Sequence, residues 1–390
     1  MAAGDPSPSV LEHRGDLVDE GRGRTFPCDR CGADLVYHIG SRRLACPFCG
    51  NEEPISVPAD VEIREHDLRR HLAAQTANHY PATDQPLTAA LRPTDLEIRC
   101  DDCGGTVVFQ GTLTSHRCPY CGNPLLRENI HRAADRIPVD AVLPFTITQA
   151  VARQRVVAWV ASRWFAPNRF RSVSRLVESG RTVFTAVYFP YWTFDLLTVN
   201  RYRGERGNNY TVTVGTGKNR RRKTRIRWRS ASGEFDRFFD DVLVMAHTGP
   251  HRPHVREIEP FPLADATPFV PELLAGMISR TYDTTLKTGF DEAFERVTAA
   301  IETDVRNRIG GDHQRVHQIQ TATPALSFKH VLLPIWILTY PDRDRVHHVV
   351  VNGRTGAVAG SRPYSPWKIA FAVLLSLLTF ALAALLFSGR

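Results

Sequence analysis

The cysteines constrain this chain more than any other residue type. All eight fall into Cys-x-x-Cys pairs: Cys28/Cys31, Cys46/Cys49, Cys100/Cys103 and Cys118/Cys121. The pairs form two sets of equal spacing, CxxC-x14-CxxC. A 72-residue offset superposes CDRCGADLVYHIGSRRLACPFCGN on CDDCGGTVVFQGTLTSHRCPYCGN with ten of 24 positions identical. The chain therefore carries an internal repeat, with no cysteine left over.

A Cys-x-x-Cys turn brings two thiolates to one side of a tight loop. Glycine after the second cysteine lets the backbone approach a metal, and two such knuckles complete a tetrahedral site. LVYHI and TVVFQ, between the knuckles, have the pattern of short strands. The expectation is two zinc ribbons and two zinc ions, one held by Cys28, Cys31, Cys46 and Cys49, the other by Cys100, Cys103, Cys118 and Cys121. A unit of about 25 residues buries too little core to fold alone, so the metal supplies the folding free energy. Disulfides and a rubredoxin-type iron site are the competing readings. Disulfides need an oxidising compartment, and MAAGDPSPSV is not a signal peptide. Four thiolates leave no open coordination position, so the expected role is structural.

The remaining composition is that of a globular protein, 43% hydrophobic and 23% charged. A mean hydropathy of −0.25 excludes a polytopic membrane protein. The formal charge is +8, from 49 Lys+Arg against 41 Asp+Glu. Eight thiolates and two dications would bring it to about +4, which weakens any argument for nucleic-acid binding from charge alone.

Pattern and turn chemistry divide the chain into a flexible tail (1–24), ribbon one (25–54), a linker with an exposed helix and several prolines (55–97), ribbon two (98–126), a larger domain (135–365) and a terminal apolar helix (367–387). In the larger domain, Thr148 is placed to cap a helix over QAVARQRVVAWVASRWF. TVFTAVYFPYWTFDLLTVNRYRG has the composition of a buried strand, or a strand pair interrupted at Pro190. YTVTV and TRIRWRS pattern as a hairpin, FDDVLVMA as a strand, PELLAGMIS and about 290–310 as helices, and HVLLPIWILTY, RVHHVVV and TGAVAG as a meander turning at Asn352-Gly353. Strands and helices mix without a βα repeat, so the fold class expected is α+β.

Ile369 to Phe387 is a run of 19 residues without a charge. As a helix it spans about 28 Å, close to a hydrocarbon core of about 30 Å. Trp367 and Lys368 stand at its upstream edge, where interfacial anchors belong. Arg354, Arg362 and Lys368 outnumber Arg390, which places the bulk of the chain on the cytoplasmic side of a cell membrane as a single-pass, tail-anchored protein.

No phosphate-binding loop, H-E-x-x-H or G-x-S-x-G occurs, and no nucleophile stands with a base, so no enzyme activity is expected. His251 and His254 lie in a Pro-rich stretch that reads as a solvated loop. Asp240-Asp241 and Asp342/Asp344 have the pattern of turn residues. One charged feature stands apart. Between Gly207 and Gly233 there is no acid, and Lys218, Arg220, Arg221, Arg222, Lys223, Arg225, Arg227 and Arg229 supply eight cations. A solvated face, anionic lipid headgroups and nucleic-acid phosphates are the three readings of that hairpin, with the anionic membrane surface as the proposed partner.

The motifs VLPF (142–145), WFAP (164–167), YFPYWTFD (188–195), FDDVLV (239–244), FKHVLLPIW (328–336) and VNGRTGAVAGSRPYS (351–365) follow the Cys knuckles and precede a terminal apolar segment. Over about 100–387 this set resembles a bacterial family of membrane-anchored zinc-ribbon proteins, whose members carry labels such as TFIIB-type zinc-ribbon protein or primosomal-protein-N′-like protein. The resemblance implies the eight cysteines as metal ligands, no enzyme activity, and a scaffold that recruits cytosolic protein partners to the membrane. The alternative is a membrane-held nucleic-acid-binding protein. It is disfavoured by the few cations on the ribbons: Arg30, Arg42 and Arg43 against Asp29 and Asp34, and Arg117 against Asp101 and Asp102.

Overall fold

The computed structural model describes residues 26–56 except 42, 61–76, 365–388 and most of 137–361, the longest exceptions there being 178–183 and 216–219; strand segments at 18–19, 23–24, 96–99, 106–109 and 130–132 complete it. It is a mixed α+β structure. β1 (Val18–Asp19) and β2 (Gly23–Arg24) pair with each other. Ribbon one is the antiparallel sheet β3 (Val36–His38), β4 (Arg43–Ala45) and β5 (Glu52–Pro54).

β6 (His66–Asp67) and α1 (Leu68–Thr76) occupy the stretch expected to be linker. The helix is as expected, but it is not wholly exposed. β6 pairs with the main sheet at Ser327 and Phe328, Leu68 is 1% exposed, and the imidazole of His66 lies 2.8 Å from the Asp140 carboxylate. The few apolar residues of this charged segment enter the core, which a count of charges does not reveal. β7 (Leu96–Arg99), β8 (Thr106–Phe109) and β9 (Ile130–Arg132) form a second three-stranded sheet around the second repeat.

The larger domain begins with β10 (Ala141–Val142) and α2 (Gln149–Ala161). Thr148 caps α2 as expected, its hydroxyl accepting from the Val151 amide, and Ala152, Val156 and Val160 are the buried stripe. Then come β11 (Phe184–Val214), β12 (Arg221–Met245), α3 (Arg252–Glu257), β13 (Thr267–Pro268) and β14 (Ile278–Ser279). α4 (Leu286–Ile309), β15 (His313–Asp342), β16 (Arg345–Asn352), β17 (Val358–Gly360) and α5 (Pro366–Ser388) follow. The sheet runs β12-β11-β15-β10-β13. In addition β14 pairs with β11, β6 and β16 with β15, and β17 with β16. PELLAGMIS is not a helix: Pro271–Leu274 makes one 3-10 turn, after which Ile278 pairs with Val187 at the sheet.

Both faces of the sheet are covered at one end, and this explains the unbroken apolar runs. Val187, Phe189 and Tyr191 face the core that includes Val255 and Ile258 around α3. Tyr188 faces the opposite side with α2, and Trp192 and Phe194 face α4. Pro190 does not interrupt β11. Its carbonyl accepts from Ala246, so its missing N–H would point to that same edge, where the neighbour changes from β14 (up to Tyr188) to β12 (from Tyr191). Pro334 in β15 repeats the device: its carbonyl accepts from Gly353, one residue before β16 pairing begins at Ile335. A proline is tolerated where no ladder bond is lost.

α4 begins earlier than the pattern predicts, at Leu286, with Thr285 as its cap. Its buried stripe includes Leu286, Gly289, Ala293, Val297 and Ile301. Gly289 is required by Trp192: a β-carbon there would sit 2.6 Å from the indole. Beyond the end of α4, the β11–β12 hairpin continues with little cover. β11 has 31 residues, and its last residue, Val214, pairs with Arg221 near the hairpin tip.

Candidate metal centre

Ribbon one folds as two copies of one backbone turn. In the first, the Cys28 carbonyl accepts from Gly32 and the Cys28 amide donates to Ala33; in the second, Cys46 does the same with Gly50 and Asn51. Gly32 (φ 72°) and Gly50 (φ 71°) both lie in the left-handed region, where a side chain is strained. This is why each knuckle carries glycine after its second cysteine.

The turns bring four sulfurs together, all within 4.8 Å of one another. Cys28 Sγ lies 3.7 Å from Cys49 Sγ, and Cys31 Sγ lies 3.4 Å from Cys46 Sγ. A disulfide would need about 2.05 Å. A tetrahedron with metal–sulfur bonds of about 2.3 Å has edges of about 3.8 Å. The four cysteines thus fit a tetrahedral thiophilic ion, and one such site is described.

The surroundings favour thiolates. The Arg30 amide donates to Cys28 Sγ at 3.4 Å, and the Asn51 side-chain amide reaches it at 3.6 Å. The Cys49 and Phe48 amides beside Cys46 bring its thiol down to about 7, against the effect of burial. At Cys31 the Ala33 amide acts in the same direction, but the crowded sulfurs of Cys46 and Cys49 outweigh it and push the thiol up to about 12. Four sulfurs this close do not all ionise without a cation; a bound dication removes that conflict.

The ribbon is built into the larger domain. The Tyr37 amide donates to the Ala275 carbonyl at 2.9 Å, and the Tyr37 ring is 4% exposed in the core that holds α2. Ile39 and Ile55 pack on the same core. At the outer tip, Phe48 is 81% exposed. The second set of ligands, Cys100, Cys103, Cys118 and Cys121, lies outside the described residues.

The basic hairpin is also placed. Arg221, Lys223, Arg225, Arg227 and Arg229 project from one face of β12, opposite Val214, Val212, Tyr210, Asn208 and Arg206 of β11. Their spacing along the strand is about 6.8 Å. Arg222 is on the other face, Arg220 precedes the strand, and Lys218 lies outside the described residues. Lys368 at the root of α5 bonds to Ala166, which packs in one core cluster with Phe184, the first residue of β11.

Two groups escaped the sequence reading. Asp240 and Asp241 are not at a turn but inside β12, where they form a β-bulge opposite Asp195, between the pairs Phe194–Val242 and Leu196–Phe239. Their carboxylates meet that of Asp195, and Lys329 lies 3.3 Å from Asp195, 3.0 Å from Asp241 and 3.3 Å from Glu65. Burial works against charge on Lys329, yet Asp241 and Asp195 hold it protonated above its ordinary range. His251 is not solvated: it is fully buried, edge-on to His348 with ring centroids 4.3 Å apart. Burial first, then the neighbouring His254, holds His348 down at about 4. No local pattern marks either group, since its members come from separate elements.

No protein-family model matches the chain, and no solved structure matches it. The uncharacterized protein YdjG of Bacillus subtilis (strain 168) is similar: 24% identical over 348 residues, 89% of this chain and 92% of that one.

α5 carries the remaining question. Among the described residues no helix is long and apolar enough to cross a membrane. The side chains described on α5 end at Phe380, so the stretch 367–387 is covered only in its first part. In that part Val373, Leu374, Leu375, Leu377, Leu378 and Phe380 are all more than half exposed. At 100° per residue these positions span about 220° of the helix surface, and on the remaining side Ser376 and Thr379 turn their hydroxyls back to the Ala372 and Ser376 carbonyls.

Proposed function

We propose that the protein is a non-enzymatic membrane adaptor: α5 anchors it in the cytoplasmic membrane, the α+β domain is its platform, and two structural zinc ribbons bind protein partners. The observation that carries this reading is the wide exposed apolar surface of α5, on which the Ser376 and Thr379 hydroxyls are bonded within the helix. A protein partner covers a narrow stripe of a helix, whereas an apolar surface this wide is suited to a surrounding apolar medium. The uncharged run continues in sequence to Phe387, giving about 28 Å. The bulk of the chain is assigned to the cytoplasm by the flanking cations. Ribbon one presents Phe48 at its knuckle tip, and Tyr120 holds the matching position in the sequence of the second repeat. The resemblance to membrane-anchored zinc-ribbon proteins agrees with this reading.

The test is fractionation of the full chain beside a chain ending at residue 365. The full chain should stay with membranes through alkaline carbonate and the shortened one should not; recovery of the full chain in the soluble fraction overturns the anchor. Partner capture that persists when Phe48 and Tyr120 become Ser would overturn the adaptor role of the ribbons.

A second reading rests on the five aligned cations of β12: a polyanion such as a nucleic acid could lie along that face. It calls for binding that weakens steeply with salt, in proportion to the phosphates neutralised.

A further inference from the structure

The turn after α2 carries two large aromatic residues that the core does not use. Trp164 is 54% exposed and Phe165 40% exposed, with ring centroids 5.0 Å apart at 67°. Their backbone is held from within. The Ala166 amide donates to the Arg163 carbonyl, and Ala166 itself is 5% exposed in the main core. The turn is also bound to the root of α5. The Ser365 amide donates to the Phe165 carbonyl at 2.8 Å, and Lys368 Nζ donates to the Ala166 carbonyl at 2.8 Å. Between those two contacts stands Trp367, 84% exposed. Three exposed aromatic side chains from two distant parts of the sequence are thus gathered where the uncharged run begins.

We propose that Trp164, Phe165 and Trp367 form an aromatic collar seated in the interfacial layer of a lipid bilayer, so that the α+β domain docks on the membrane through the turn after α2 as well as through α5. This rests on the bilayer reading of α5 and adds a second membrane contact, made by the folded domain itself. Indole and phenyl rings favour the headgroup level, where an apolar body and a polar tip are both accommodated. Arg163 stands over the Trp159 ring at 5.0 Å and Lys368 at the helix root, so cations flank the aromatics on the water side. A second copy of the chain is the weaker occupant, because the apolar surface continues from the collar over about 220° of α5, wider than one partner helix covers.

The collar also orients the protein. α2 and the start of β11, which share a core with Ala166, lie next to the bilayer.

The experiment is tryptophan quenching of the full chain reconstituted in phosphatidylcholine vesicles with brominated acyl chains. The chain has six tryptophans, of which the collar places two at the lipid. Trp164→Phe and Trp367→Phe should each roughly halve the quenched signal. Phe165→Trp should raise it. Both substitutions at 164 and 165 alter exposed rings, and unchanged thermal melts will show that folding is intact. Quenching that falls in Trp367→Phe but is unchanged in Trp164→Phe and Phe165→Trp overturns the collar and leaves the anchor standing. A full chain that neither floats with vesicles nor shows quenching overturns the anchor, and the collar with it.

Discussion

Lys368 donates to the carbonyl oxygen of Ala166 across 202 residues of sequence, at 2.8 Å. Ala166 is buried in the main core, and Lys368 begins the uncharged helix, so this bond fixes the root of α5 to the folded domain. α5 is therefore not a tail on a free linker. Lys368→Ala should loosen the root without unfolding the domain. Proteolysis between 362 and 368 should speed up while the melting temperature of the domain moves little. An unchanged cleavage rate would show that the bond does not hold the root.

Metal analysis should return one zinc per chain from ribbon one, and two if the second repeat folds alike. Cys46→Ser should remove one equivalent. Because Tyr37 and Ile39 pack into the main core, that loss should also lower the melting temperature of the whole chain. A zinc-free protein of unchanged stability, or the colour of an iron tetrathiolate, would contradict the assignment.

Gly289→Ala should destabilise the chain by about 1–3 kcal/mol, the usual cost of overpacking, because the new methyl meets the Trp192 indole. Helix propensity alone would stabilise by about 1 kcal/mol, so the sign of the change in urea unfolding decides between packing and propensity.

Stability should fall as the medium is acidified from about 6.5 to about 4. His348 titrates at about 4 in the folded chain, and buried His251 is also held well below its ordinary value. Between those values the unfolded chain binds more protons, so lowering the pH favours unfolding. The contribution is fully present above the ordinary histidine value and is lost as the pH falls through the folded one. His348→Gln should flatten this part of the profile; an unaltered slope would place the acid sensitivity elsewhere.

Replacing Arg225, Arg227 and Arg229 by Ser should leave vesicle binding of the full chain unchanged, since α5 and the aromatic collar carry that binding. If those residues engage a polyanion, the same variant should lower the salt dependence of duplex binding by about three phosphates' worth. Loss of binding to anionic vesicles would show that the hairpin reaches a membrane after all.

Short-range chemistry was legible before any coordinates. The knuckles follow from Cys-x-x-Cys-Gly, because left-handed backbone after the second cysteine is a local requirement. The cap at Thr148 and the turn at Asn352, whose side-chain oxygen accepts from Arg354 and Thr355, are equally local. So is the uncharged run that begins α5. Other features depend on which strand lies next to which. Pro190 and Pro334 are harmless only because each falls where its strand changes neighbours. Leu68 leaves a charged segment for the core because β6 finds an edge of β15. Lys329 meets Asp195 and Asp241 because a bulge in β12 sets two residues against one of β11, and His251 meets His348 because α3 packs against β16. Composition and periodicity report what a residue prefers within a few positions. Register between strands more than 100 residues apart is decided by the packing of the whole sheet, and only the tertiary structure contains it.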